Sequence, residues 1–380
     1  MVKSNVNALG IIFPNSYDNM VPELVTERLM ASIPFAGRYR MIDFILSSMV
    51  SSGIDNISII VRNNYHSLMD HLGSGREWDL TRKNGGLTII PPFAEKTVKM
   101  YNGRVEALAS ILSLLRDQKE EYVVMSDANV AVNFDFSAML QAHIESGADV
   151  TVAYKEEELA DSLKNLDIMK EDFFYTLALE GDRVKKIYVN SEESGPQKLS
   201  MNIYILKREL LIDLIHTAFV RGYVYFERDI LAHRLDKLNV KAYRFDGYLA
   251  RITDMKSYFD ENMKLLEDEN LDALFNPNPI YTKIRDDNPT RYINGSKVKN
   301  VMAADGCIIE GEVENSILFR GVKIEKGAKV KNCILMQDTV VEKGADIEYL
   351  ITDKQVTITS GTEMKGTDSY PVYIAKFRTV

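Results

Sequence analysis

The stretch ENSILFRGVKIEKGAKVKNCILMQDTVVEKGADI, residues 314–347, contains one 17-residue unit written twice. Seven positions are identical between 314–330 and 331–347, including Glu325/Glu342, Lys326/Lys343, Gly327/Gly344 and Ala328/Ala345. Within the first copy Val322 and Ala328 stand six residues apart, with Ile324 and Val330 as companions. Short β-branched runs punctuated by glycine at this spacing predict a parallel β-helix with one coil per repeat; a small antiparallel sheet is the alternative.

Upstream the rhythm is different. NALGIIF, NISIIV, EYVVMSD and ADVTVAY read as buried strands, while GRVEALASILSLLRDQ and FSAMLQAHIESG carry apolar residues at helical spacing, the second ending at Gly147. Strands alternating with helices predict a mostly parallel sheet covered on both faces, whose ligands sit beyond the strands' carboxyl ends, where Asp127 falls. Between the two regions, residues 266–296 hold three of the ten prolines and little periodicity. They read as a connector, ordered against a domain because it carries Leu271, Leu274, Phe275 and Tyr281. The expected domains are therefore 1–265, a connector at 266–296, and a β-helix at 297–380.

Bulk properties narrow the function. A chain of 380 residues exceeds one ordinary core. A net charge of −9 without a basic run argues against a nucleic-acid partner. Two cysteines, Cys307 and Cys333, form no disulfide framework, which points to a reducing cytoplasm. Residues 1–30 show no secretory pattern, and no apolar run is long enough to span a bilayer. The five histidines (66, 71, 143, 216 and 233) show no metal-ligand spacing.

Four blocks together resemble the ADP-glucose pyrophosphorylases, the glucose-1-phosphate adenylyltransferases of glycogen synthesis. They are IPFAGRYRMIDFILSSMVSSGIDNISI, GSGREWDLTRKNGGLTIIPP, NFDFSAMLQAHIESGADVTVA and GYLARITDMKSYFDENMKLL, in the family's order and followed by the β-helix repeat. The resemblance implies a Rossmann-like nucleotidyltransferase domain followed by a left-handed parallel β-helix. It also implies a reaction in which a sugar phosphate attacks the α-phosphorus of ATP. Such chemistry rests on positioning and charge neutralisation.

Every device the family uses for that step is altered here. The glycine-rich phosphate loop is replaced by FPNSYDNMVPEL (13–24), where Pro14 and Pro22 remove donors and Asp18 and Glu23 add negative charge. The loop's lysine aligns with Met30. Asp127 matches the first metal-binding aspartate, but the second aligns with Arg251. At an effective dielectric of ~20 and ~4 Å, unit charges interact by about 4 kcal/mol, so this exchange disfavours a divalent ion by up to roughly 16 kcal/mol. Asp254, three residues on, reads as a loop or helix-cap residue. The sugar-phosphate lysine is missing from IYVNSEESGPQ, with no lysine until Lys198. The adenine-contacting segments read PPFAE and GRVEA, the latter with Arg104 and Glu106.

This pattern resembles the family's GlgD-type branch. It implies a regulatory, catalytically deficient subunit that assembles with a catalytic subunit, as a heterotetramer. On this reading the chain needs no cofactor alone, Mg²⁺ in the active complex is held by the partner, and Asp127 is a remnant. Positions matching Arg28 and Arg40 lie near an activator phosphate in the family, so both are effector-site candidates. The other reading of Arg28, Arg38 and Arg40 is structural, as salt bridges around Asp43. Two alternatives stand beside the regulatory subunit: an active nucleotidyltransferase with an atypical loop, and a sugar-phosphate sensor acting by itself. A β-helix acyltransferase is nearly excluded, because such enzymes typically place a catalytic histidine on the β-helix and none follows His233.

Overall fold

The computed structural model describes residues 6–83, 85–92, 101–164 and 173–380. The front domain is built on a nine-stranded mixed sheet. Gly86–Ile90, Asn56–Ile60, Ala8–Phe13 and Tyr122–Asp127 run parallel in that spatial order. Pro196–Lys207 then enters antiparallel, between Tyr122–Asp127 and Val150–Glu158. Val240–Arg244 runs parallel to Val150–Glu158, and the hairpin Tyr175–Glu180/Arg183–Val189 closes the far edge.

The parallel strands are apolar throughout because both faces are covered. Along Ala8–Phe13, Ile12 packs with Ile45 and Met49 of the helix Met41–Ser51. Leu9 and Ile11 pack on the other face, with Val105 and Leu108 of Arg104–Ala109 and Leu211 and Ile215 of Arg208–Val220. At Gly10 a Cβ would come within 2.9 Å of the Met49 sulfur, so glycine sets the closeness of helix to sheet. The helical run expected over 103–118 is broken into Arg104–Ala109 and Leu112–Asp117. Ser110 Oγ donates to the Ala107 carbonyl at 2.7 Å, the back-bonding by which serine interrupts a helix.

The expected connector is ordered: it contains the helix Asp268–Phe275, whose Leu274 is buried and whose Phe275 ring lies 5.0 Å from that of Tyr39. The chain enters the first β-helix strand at Arg291, inside the expected connector. From there it forms a left-handed parallel β-helix. Lys323–Ile324 pairs with Val340–Val341, and that with Thr357–Ile358, so the sequence repeat is one coil. The recurring punctuation marks the corners. Gly327, Gly344 and Gly361 turn at φ 79°, 69° and 73°, and Asn315, Asn332 and Tyr349 at 45°, 51° and 54°. Left-handed backbone is open to glycine and tolerated by asparagine, which is why these residues recur. Cys307 and Cys333 are free thiols buried in the coil interior.

The two domains share a core. Leu24, Met30, Phe35, Phe44 and Tyr258 of the front domain pack with Ile317, Phe319, Ile334, Met336 and Ile351 of the β-helix. Among the described residues, no helix is long and apolar enough to cross a membrane.

Candidate functional site

A cleft opens at the carboxyl ends of the parallel strands, lined by Phe13, Ser16, Tyr17, Arg62, Arg104, Asp127 and Tyr175 among others. The loop after Ala8–Phe13 crosses it, and that loop is closed on itself by side chains. Asn15 Nδ2 donates to Asp18 at 2.8 Å, Asn15 Oδ1 accepts from the Arg62 amide at 2.8 Å, and Asp18 Oδ1 accepts from the Met30 amide at 2.7 Å. Tyr17 holds a left-handed backbone at φ 67°. Its hydroxyl donates to the Phe173 carbonyl at 2.8 Å and accepts from Asn202 at 2.6 Å. Burial, then the nearby Asp127, push its pKa well up, so it stays a neutral phenol. This loop has no glycine, its Pro14 and Pro22 carry no N–H, and Asp18 adds negative charge, so it is not built as a phosphate cradle.

Asp127 is held by a guanidinium. Arg104 Nη2 donates to Asp127 Oδ1 at 2.7 Å, and Nη1 pairs with Glu227. Ser16 Oγ donates to the same Asp127 oxygen at 2.7 Å. The guanidinium lies over the Phe13 ring at 4.9 Å. Burial alone would lower the pKa of Arg104, but Asp127 and the surrounding tyrosines raise it above its ordinary value, so the cation is fixed. The second oxygen, Asp127 Oδ2, is buried with no partner. A magnesium ion needs several oxygen donors and is repelled by a cation beside it. Here both carboxylates of the cleft, Asp127 and Glu227, are bound to one arginine, and the residues present do not fit the ion. Among the described residues, no group of three or more His, Cys, Asp or Glu side chains could hold a metal ion.

The other altered positions fall where their chemistry sends them. Met30 is fully buried in the core shared by the domains, not in the cleft. Arg251 ends the short strand Leu249–Arg251 and is tied to Glu157 at 2.8 Å and to the Ser200 carbonyl at 3.2 Å. It makes no ion pair with Asp127; the arginine that does is Arg104. Asp254 is the N-cap of Met255–Met263, accepting from the Ser257 amide at 2.6 Å. Glu106 accepts from the Asn102 amide at 2.6 Å. Phe93, Ala94 and Glu95 of PPFAE lie outside the described residues.

The two effector candidates part company. Arg28 is buried, and both its Asp353 contacts are 2.8 Å long. This pair ties the front domain to the β-helix, and Arg28 is not among the residues lining the strand-end cleft. Its salt bridge is structural, though with Asp353 rather than Asp43. Arg40 lines a second cleft, about 410 Å³ in volume, between the two domains. Its Nη1 donates to the Ser67 carbonyl at 2.6 Å, its amide donates to Asp43 at 3.0 Å, and burial holds its pKa at about 10. His71 Nε2 donates to Asp43 at 2.6 Å as a neutral imidazole, since burial holds its pKa below the ordinary value.

Around Arg40 the cleft gathers Arg38, Lys283, Arg285, Arg320, Lys354 and Lys376. Three of these meet carboxylates: Lys283 with Asp70, Arg285 with Asp287, and Arg38 more distantly with Asp305. Among the described residues, Arg40, Arg320, Lys354 and Lys376 have no carboxylate at ion-pair distance, and Arg320 Nε is buried without any partner. In a chain of net charge −9, these four basic side chains give one concave surface a positive lining. Sequence reasoning found Arg40 alone, because the remaining members are scattered from Arg38 to Lys376 with no motif to join them.

Residues 24–268 match the nucleotidyl transferase family model, and residues 284–370 match that of the GlmU-like C-terminal hexapeptide. The glycogen biosynthesis protein GlgD of Bacillus subtilis (strain 168) is 36% identical over 374 residues, covering 98% of this chain and 96% of the relative. GlgD of Geobacillus stearothermophilus is 36% identical over 86% of this chain and 83% of its own. A glucose-1-phosphate adenylyltransferase of Bacillus cytotoxicus is 32% identical over 87% of each chain.

Proposed function

The chain belongs to the glucose-1-phosphate adenylyltransferase family, on its GlgD branch, and we propose that it serves glycogen synthesis as a regulatory, catalytically deficient subunit. On this reading it assembles in the cytoplasm with a catalytic subunit, as a heterotetramer, and alters the rate or effector response of ATP + glucose 1-phosphate → ADP-glucose + diphosphate. The observation that carries the reading is Arg104, bound to Asp127 and Glu227 where a metal-dependent transferase needs free carboxylates. The loop at Asn15–Asp18 supports it, because it lacks glycine and ties the Asn15 and Asp18 side chains together where a phosphate loop would present close-approaching backbone. Magnesium in the active complex is then a property of the partner's own cleft.

Three assays decide it: this chain alone, a catalytic subunit alone, and the two mixed. The expected result is no turnover by this chain and a changed rate or effector sensitivity on mixing. Robust Mg²⁺-dependent diphosphate release by this chain alone would overturn the deficient status. An unchanged partner would overturn the regulatory one.

The interdomain cleft favours one refinement: the chain senses a sugar phosphate or similar anion through Arg40, Arg320 and Lys354. Arginine recognises phosphate oxygens by its forked donors, and the cleft lies where front domain and β-helix meet. Calorimetry with fructose 1,6-bisphosphate tests it, with Arg40→Ala expected to weaken binding.

A further inference from the structure

Lys354 lies on the β-helix wall of the interdomain cleft, directly after Asp353. Among the described residues, Asp353 is the carboxylate that acts on it, and Asp353 is fully occupied. Arg28 Nη2 donates to both oxygens at 2.8 Å, the Tyr373 hydroxyl donates to Oδ2 at 2.9 Å, and the Lys354 amide itself donates to Oδ1 at 2.6 Å. The negative charge of Asp353 is therefore matched by Arg28, and the Lys354 ammonium is left over.

Among the described residues, the other charges acting most strongly on Lys354 are positive. Arg40 faces it from the front domain, Arg28 lies behind Asp353, and Lys376 approaches from the C-terminal segment. Across the cleft, Asp70 is held by Lys283, Asp287 by Arg285, and His71 is neutral against Asp43. Burial first, then Arg40 and Arg28, bring the Lys354 pKa down to about 7. Without an anion, the cleft thus holds a neutral amine above that pH. A dianion seated between Arg40 and Arg320 offsets their charge and offers Lys354 Nζ an acceptor, both of which favour the ammonium.

Building on the reading of this cleft as an anion site, we propose that it binds a small dianion together with one proton, which Lys354 takes up from solvent. The amine's lone pair accepts the proton and the resulting ammonium donates a hydrogen bond to the anion; no other bond changes. Affinity then falls as pH rises above neutrality, by about tenfold per pH unit while the occupied cleft still holds the proton.

The test is calorimetric titration of the full chain with sodium sulfate, whose charge is constant between pH 6 and 9, at fixed ionic strength. Two buffers of different ionisation enthalpy at pH 8 report the protons exchanged. The expected result is uptake approaching one proton and roughly tenfold weaker binding at pH 9 than at pH 8. Lys354→Arg, permanently charged, is expected to bind with no uptake and a flat profile. Lys354→Met is expected to bind weakly with no uptake. If sulfate does not bind, or Arg40→Ala and Arg320→Ala bind it like the parent, the anion-site reading falls and this inference with it. Arg40-dependent binding without uptake, or uptake that survives in Lys354→Arg, overturns the proton link alone.

Discussion

Replacing Arg104 by alanine removes the one cation of the strand-end cleft that touches both carboxylates. The guanidinium is about 10% exposed, Asp127 1% and Glu227 4%, so all three charges are inside the protein. Breaking a buried pair by deleting one partner costs about 3–5 kcal/mol, mostly from the charge left behind. Glu227 has no other side-chain partner among the described residues, whereas Asp127 keeps the Ser16 hydroxyl. The expected loss is therefore ~3–5 kcal/mol, read as a lower urea midpoint at unchanged slope. Arg104→Lys is expected to recover only part of it, because an ammonium cannot fork to two carboxylates. A second arm tests the substitution of cation for cation. Mn²⁺ is expected to raise the stability of Arg104→Ala and to leave the parent unmoved, since a ligand stabilises only the state that binds it. A loss below about 1 kcal/mol, or a parent chain that Mn²⁺ stabilises as much as the variant, would refute the idea that Arg104 stands in the metal's place.

Arg28→Ala is expected to cost ~3–5 kcal/mol in urea unfolding, while Arg28→Met with Asp353→Leu recovers most of it, because the paired charges stabilise little beyond well-packed apolar groups. Equal losses in the single and double variants would contradict that account. Lys354→Met is expected to stabilise the chain at pH 6. The folded pKa of about 7 lies below the unfolded value, so the charge opposes folding in full below pH 7, and the effect fades as pH approaches ~10.4. A pH series of thermal melts checks the sign. Asp254→Ala is expected to cost about 1 kcal/mol as a lost helix cap, measured by urea unfolding, and to change no metal response.

What could be read in the sequence follows the physics of each element. The coil was legible because its corners demand left-handed residues at fixed intervals, and Gly327, Gly344 and Asn332 write that demand directly. The strands were legible because burial on both faces leaves only apolar residues. The antiparallel entry of Pro196–Lys207 was not, since direction leaves no mark on composition. At the strand-end cleft, the losses at Met30 and Arg251 were visible as wrong residue types, but the consequence was not. The cation that reaches Asp127 is Arg104, 23 residues before it in the chain, and only the approach of its helix to the strand end shows this. Arg28 and Arg40 looked equivalent as arginines. Asp353, 325 residues beyond Arg28, separates them.

The two clefts treat charge in opposite ways. At the strand ends, Arg104 is matched by Asp127 and Glu227 and offers an arriving triphosphate no uncompensated charge, which leaves Arg62 as the other arginine lining that cleft. Between the domains, Arg40, Arg320, Lys354 and Lys376 face one space with no carboxylate among their ion pairs. Burial of these groups costs stability and like charges beside them add to the cost, which is why the pKa values of Arg40, Arg320 and Lys354 lie below the ordinary ones. On the proposed reading an anion relieves this cluster, and the relief acts across the boundary between front domain and β-helix because each contributes basic side chains. Arg28 and Asp353 tie the same boundary beside Lys354, so charge added to the cleft acts next to the pair that joins the domains.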